Sequence, residues 1–216
     1  MQPILIGLTG APLAGKDTTA HILAAAGFVS IAFADALRAE LVHAWGVDHR
    51  TFTARATKED PTDALAIQLC SDAGFLRLAA SKGWNAAAPR SPRWAMQRWA
   101  TEYRRGQRED YWRMRVEHWI HAQRLAGRQQ IVITDVRFPD EAATLRRLGG
   151  WLVRVHRPSI EASMATDTRQ HASEAHTQLQ ADAEIHNDGD LEHLTAEAVR
   201  VLRGLLNAQA VLEVCP

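Results

Sequence analysis

Lysine and cysteine are the two scarce residue types: of 25 cations only Lys16, Lys58 and Lys82 are lysines, and of 216 residues only Cys70 and Cys215 are cysteines. The two cysteines lie far apart with no metal-ligand spacing around them, so neither a thiolate metal cluster nor a disulfide framework is expected. The ten histidines are scattered, and no HxxxH pair comes with a suitable acid, which excludes a histidine-built metal centre. There is no GxSxG elbow, hence no hydrolase triad of that type. No apolar run approaches the length of a membrane span and no signal-peptide pattern opens the chain, so a reducing cytoplasm is the expected setting, with no membrane partner. Asp+Glu also number 25, for a formal net charge of zero, and no surface-wide field recruits nucleic acid. Repeats and low-complexity tracts are absent. The 22 arginines that make up the remaining cations suit planar, bidentate recognition of phosphate, although GC-rich coding would produce the same bias.

What is present begins at Ile4. An apolar run (Ile4, Leu5, Ile6, Leu8) leads into Gly10-Ala-Pro-Leu-Ala-Gly15-Lys16-Asp17-Thr18-Thr19, and an Ala/Leu/Ile-rich helical pattern follows. Strand, glycine loop and helix in that order form a phosphate-binding loop. Gly10 and Gly15 let the backbone curl so that N–H groups, those around Ala14 included, face an anion. Lys16 adds a point charge, and the helix dipole turns its positive end the same way. The usual Ser/Thr after the lysine is Asp17, with hydroxyls displaced to Thr18 and Thr19. Asp17 and Thr18 can still serve Mg²⁺, directly or through water.

Periodicity and breakers place strands at residues 28–32, 131–134, 151–156 and 183–186 after the first. Helices are expected at 35–45 with Asp35 as cap, then 63–80, 92–105, 110–126, 139–148 and 191–208. Residues 49–62 and 82–92 read as loops, and 157–176 as a mobile lid. Alternating strands and helices imply an α/β fold, a parallel sheet covered on both faces. One domain is expected, with a core at about 1–34 and 128–216 and a helical acceptor-binding subdomain at about 35–127.

Asp135 and Arg137 follow a buried strand at its carboxyl end, where open α/β sheets bind ligands. Asp135 is placed to act on Mg²⁺ or its waters, and Arg137 to reach a transferring phosphoryl group. The alternatives are an Asp135 that caps the next turn and an Arg137 paired with Glu141. Arg38, early in a helix, suits an acceptor phosphate or is a solvated helical arginine. Gln97, Thr101 and Arg104/Arg105 share a helix side at spacings of three or four, offering an amide to a base edge and cations to a phosphate. Trp94, Trp99 and Trp112 are better explained as core residues than as base-stacking platforms. In the lid, Arg157 and Arg169 can neutralise phosphoryl charge and Glu174 can orient Arg169; His171 is not required as a base, because a phosphomonoester is already largely dianionic at neutral pH. Asn187, in an Asn-Asp-Gly-Asp turn, could edge an adenine.

Taken in order, the GKDT loop, Phe33 to Arg38, Lys58-Glu-Asp-Pro61, Ser91-Pro-Arg93 leading to Gln97 and Thr101-Glu102, Arg105, Tyr111-Trp112, Thr134 to Glu141, His171-Ala-Ser-Glu174 and Ile185 to Leu191 resemble the deoxynucleoside monophosphate kinases of tailed phages and prophages. Ala100 stands where that family usually has glycine. The resemblance implies a P-loop, nucleoside-monophosphate-kinase-like fold, ATP with Mg²⁺ as donor, a deoxynucleoside 5′-monophosphate as acceptor, and often a homodimer in the host cytoplasm. On this reading Lys16, Arg137 and Arg169 are catalytic. Gly10, Ala14, Gly15, Lys16, Asp17, Thr18 and Asn187 hold ATP, and Arg38, Gln97, Thr101, Arg105 and Glu174 hold the acceptor. Asp17, Thr18 and Asp135 serve the metal. Animal phosphomevalonate kinases share the GKD loop, so a kinase of another small phosphomonoester is the nearest rival. A P-loop module without turnover and a nucleic-acid-stimulated ATPase are the others.

Overall fold

The computed structural model describes residues 3–54, 56–164 and 179–214. Its sheet has five parallel strands: β1 (Ile4–Thr9), β2 (Val29–Ile31), β3 (Gln130–Ile133), β4 (Trp151–His156) and β5 (Ala183–His186), in the spatial order β2-β3-β1-β4-β5. The helices are α1 (Lys16–Ala25), α2 (Phe33–Trp45), α3 (Arg50–Thr53), α4 (Ala73–Ser81), α5 (Pro92–Gln97), α6 (Tyr111–Leu125), α7 (Pro139–Arg147), α8 (Pro158–Met164) and α9 (Leu191–Val214). The chain divides into two compact units, Met1–Phe33 with Glu117–Pro216, and Ala34–Val116.

The first unit holds the sheet. Every residue of β1 is buried, as expected of a central parallel strand covered on both faces. Ile4, Ile6 and Leu8 join Val153 and Val155 of β4, Ala20 and Leu23 of α1, and Leu194, Ala198, Val201 and Leu205 of α9 in one apolar cluster. The α9 residues recur at steps of three and four, so a single helical stripe meets the sheet. From β1 the chain crosses to the edge strand β2, and after β3 it crosses to the opposite side as β4. The carboxyl end of β1 is therefore a topological switch point, the crevice where such sheets bind ligands.

The second unit is organised around aromatic rings. Phe75 lies 5.4 Å from Trp45, 5.0 Å from Trp99 and 5.6 Å from Tyr103 between centroids. The Trp45 indole N–H donates to Ala66 O at 3.0 Å, so its polar edge is satisfied in the core.

Several expected elements differ. The helix expected at 63–80 is two 3₁₀ turns, Asp63–Leu65 and Ile67–Leu69, followed by α4. Asp72 caps α4 by accepting the Phe75 N–H at 2.9 Å, and the cap's extended backbone prevents a continuous helix. The helix expected at 92–105 becomes a π-helix over Arg98–Arg105 after α5. Ala95, Trp99 and Tyr103 are all buried at steps of four. That period exceeds the 3.6 of an α-helix, and π turns with i→i+5 bonding keep such residues on one face. Residues 49–62 contain the one-turn helix α3, and the expected lid begins as α8. Helix α2 starts at Phe33, which puts Asp35 in its first turn instead of at its cap.

Candidate active site

The loop after β1 is built on two glycines with positive φ, Gly10 at 136° and Gly15 at 107°. A Cβ on Gly10 would come within 2.3 Å of Val155 O, and one on Gly15 within 2.5 Å of the Asn187 side-chain amide nitrogen. Both positions require glycine for conformation and for space. Leu13, at φ 67°, is the one non-glycine residue with positive φ among those described. Its side chain is half exposed, and its carbonyl accepts from Arg157 Nη1 at 3.4 Å.

Lys16 bends over the loop, and its Nζ donates to Gly10 O at 2.8 Å and to Ala11 O at 2.7 Å. A full positive charge is thus held at the amino end of α1, beside the orphan N–H groups of a helix's first turn. Asp17 and Thr18 are exposed on that turn. Thr19, by contrast, is buried and spends its hydroxyl on Gly15 O at 3.0 Å, which leaves Thr18 as the hydroxyl that can face a ligand.

Asp135 follows β3 by two residues, and its Oδ1 accepts the Phe33 N–H at 2.7 Å. The carboxylate therefore anchors backbone from a different strand connection. Arg137 is exposed. Glu141 does not pair with its guanidinium: Glu141 Oε2 accepts the backbone N–H of Arg137 at 2.8 Å and of Phe138 at 3.2 Å. The effect is to fix the backbone on which Arg137 stands. Burial pushes the Glu141 carboxyl from its ordinary value of 4.5 up to about 7, against the lowering effect of the Arg137 N–H and with a raising contribution from Asp135.

Because the folded-state pKa lies above the unfolded one, this group favours folding below about pH 4.5 and loses that contribution as pH rises to about 7. Glu141→Gln, which keeps an acceptor for both N–H groups, should remove this decline. Its unfolding free energy at pH 8 is expected to exceed wild type by up to about 3 kcal/mol, with little difference at pH 4. Urea titrations at both pH values measure it, and parallel pH profiles for the two proteins would contradict it.

Arg38, Gln97, Thr101 and Arg105 all belong to the second unit. Gln97, Thr101 and Arg105 are exposed on the side of the helix opposite Ala95, Trp99 and Tyr103. Arg38 pairs with Asp35 at 2.8 Å, and its Nε is buried with no hydrogen-bond partner among the described residues. Arg104 is engaged within the protein. Its Nε lies 2.7 Å from Glu40 Oε2, its Nη2 3.8 Å from Asp72, and its guanidinium 4.5 Å from the Tyr103 ring centroid. Trp99 is core, 1% exposed, and donates its indole N–H to Glu40 Oε2 at 2.9 Å. Tyr111 donates to Glu40 Oε1 at 2.5 Å; burial first, then this carboxylate, pushes its hydroxyl up to about 12.

Arg169, His171, Ser173 and Glu174 lie outside the described residues. Asn187 is buried, and its amide donates to Ala14 O at 2.8 Å, a carbonyl of the loop after β1. Sequence reasoning passed over Glu40 and Glu141 as hydrogen-bond hubs. The sole hint was a Pro139-Asp-Glu141 helix start, in which an N3 glutamate reaches back to the N-cap N–H.

Among the described residues no group of three His, Cys, Asp or Glu side chains could hold a metal ion, and no helix is long and apolar enough to cross a membrane.

A family model described as deoxynucleotide monophosphate kinase matches residues 79–198, more than half the chain. That span contains Gln97, Thr101, Arg105, Asp135, Arg137 and Asn187 but not the loop at Gly10. Among solved structures, the crystal structure of TT1252 from Thermus thermophilus is similar at 20% identity over 96% of this chain and 98% of that one, with a TM-score of 0.49. A dephospho-CoA kinase from Campylobacter jejuni is similar at 15% identity over 95% and 98%, with a TM-score of 0.47. No curated protein sequence matches.

Proposed function

The chain belongs to the deoxynucleotide monophosphate kinase family, and from that premise we propose that it transfers the γ-phosphoryl group of ATP to a deoxynucleoside 5′-monophosphate, giving the diphosphate and ADP. The observation that carries the reading is the Lys16 loop: two obligate glycines, a lysine held over the loop carbonyls and a helix amino terminus, all at the switch point of a parallel sheet.

On this proposal the loop amides and Lys16 hold the β- and γ-phosphates. Arg38 and Arg105 bind the acceptor phosphate, while Gln97 and Thr101 meet its nucleoside. Arg137 and Arg169 meet the charge that develops on the transferring group, and Glu174 orients Arg169. Catalysis then consists of positioning and electrostatic stabilisation, with no covalent protein intermediate. A dianionic acceptor needs no strong general base.

The donor set suits Mg²⁺. Asp17 and Thr18 present hard oxygen donors on the first turn of α1, and Asp135 stands at the end of β3. A site without a full protein cage fits an ion that keeps waters and takes oxygens from substrate phosphates. Bound there, Mg²⁺ would neutralise phosphate charge.

The test is ADP release from ATP·Mg²⁺ across the deoxy- and ribonucleoside monophosphates, with phosphomevalonate as the rival acceptor. Turnover with one or a few deoxynucleotides is the expected result. Turnover with phosphomevalonate alone, or ATP binding without any turnover, would replace the proposal.

A further inference from the structure

Asn187 follows β5, 173 positions from the carbonyl to which it binds. Its backbone N–H donates to His156 O at 2.7 Å, where His156 and His186 are register partners at the ends of β4 and β5. The paired strands therefore fix the place of the side chain. The residue is 9% exposed. Its Nδ2 donates to Ala14 O at 2.8 Å and sits where a Cβ on Gly15 would be 2.5 Å away. No cis peptide occurs among the described residues, so the Ala14 carbonyl and the Gly15 N–H point in opposite directions across one rigid plane.

We infer, on the premise that the Lys16 loop binds the donor phosphates, that Asn187 is a positioning residue for that loop. By holding Ala14 O against the β5 end, it turns the Gly15 N–H the opposite way, towards the bound phosphate oxygens.

Three local facts give the brace its purpose. Gly15, at φ 107°, has the widest conformational freedom of any residue type, so nothing in its own chemistry keeps this peptide from rotating. The Gly15 carbonyl is already committed, accepting the Thr19 N–H at 2.8 Å and the Thr19 hydroxyl at 3.0 Å. Gly15 N–H makes no hydrogen bond among the described residues, as suits a donor reserved for a ligand. A buried amide that spends a donor on a loop carbonyl removes the freedom that the glycine introduces, and preorganised donors bind an anion without a reordering cost.

The brace and an adenine contact make different predictions. A brace acts on polyphosphate whatever is attached to it, whereas a base contact acts on adenosine. Binding should therefore be measured by calorimetry for ADP, inorganic tripolyphosphate and adenosine, on wild type, Asn187→Ala and Asn187→Asp. The aspartate is isosteric but sets a carboxylate against the Ala14 carbonyl.

Both variants should lose about tenfold or more in affinity for ADP and for tripolyphosphate, the size of one charge-assisted hydrogen bond. Adenosine binding should stay within about twofold, and so should the KM for the acceptor nucleotide. Unchanged tripolyphosphate affinity in a folded variant overturns the inference. Loss for ADP and adenosine with tripolyphosphate unaffected would instead assign Asn187 to the base. Wild-type protein that binds neither ADP nor tripolyphosphate would remove the proposed function along with the brace, an outcome distinct from failure of the brace alone. Should the substitutions prevent folding, the Asn187 side-chain amide signals of ¹⁵N-labelled wild type decide. They should shift on addition of tripolyphosphate, and an unmoved pair overturns the inference.

Discussion

Lys16→Ala is expected to lower turnover by about two to three orders of magnitude while leaving the melting temperature nearly unchanged. The two outcomes separate because of where the ammonium group sits. Its Nζ donates to the carbonyls of Gly10 and Ala11, in the loop at the carboxyl end of the central strand β1, and the apolar cluster of β1, β4, α1 and α9 does not include it. Removing the side chain deletes a full charge from the point where phosphate charge accumulates, but the loop amides and the α1 dipole remain, so ATP binding should weaken less than turnover. Lys16→Arg should not restore the rate, since a planar fork cannot replace a compact ammonium in this space. Steady-state ADP release and circular dichroism on the same preparations settle it. A folded Lys16→Ala protein with near-normal turnover would remove the loop from the active site.

Glu40→Ala is expected to cost about 3–5 kcal/mol of stability. The Glu40 side chain is 12% exposed, and that of Arg104 is 19% exposed. Glu40 accepts from Trp99, Arg104 and Tyr111 at once, with Arg115 Nε at 3.8 Å. Its removal strands two neutral donors and leaves Arg104 with Asp72, at 3.8 Å, as its nearby carboxylate. Glu40→Gln should cost less, because an acceptor survives. Urea unfolding followed by tryptophan fluorescence reads the effect directly, since Trp45, Trp84, Trp94, Trp99 and Trp112 all lie in this unit. A Glu40→Ala protein within about 1 kcal/mol of wild type would show that the cluster is less cooperative than its geometry implies.

How far the sequence could be read depended on how local each signal was. Strands β4 and β5 were expected within the limits they occupy, because short runs that carry Val or Ile and are bounded by Gly149-Gly150 and by polar turns favour extended backbone. The stretch from Asp63 to Ser81 misled, because Leu65, Ile67, Phe75 and Ala79 are buried apolar residues whose spacing also fits a helix. The decisive residue was Asp72, whose carboxylate competes for the Phe75 N–H. The π-helix was legible in principle from the step of four at Ala95, Trp99 and Tyr103. Three aromatic and cationic neighbours nevertheless hid which arginine was structural: Arg104 is tied to Glu40, whereas Arg105, the next residue, is exposed.

By itself the sequence determined the order strand, glycine loop, helix, and with it the class of ligand, because a phosphate loop is made from contiguous residues and its chemistry is mostly backbone. It also determined that the strands run parallel, through their burial on both faces and their helical crossovers. Only the tertiary structure decided which side chains hold that loop and the helices of the second unit in shape. Asn187 meets Ala14 across 173 positions, and Glu40 meets Trp99, Arg104 and Tyr111 across 59, 64 and 71. These partnerships have no local signature. They depend on the register that sets β5 beside β4 and on the packing of one helix against another, which a linear pattern of residue types does not encode.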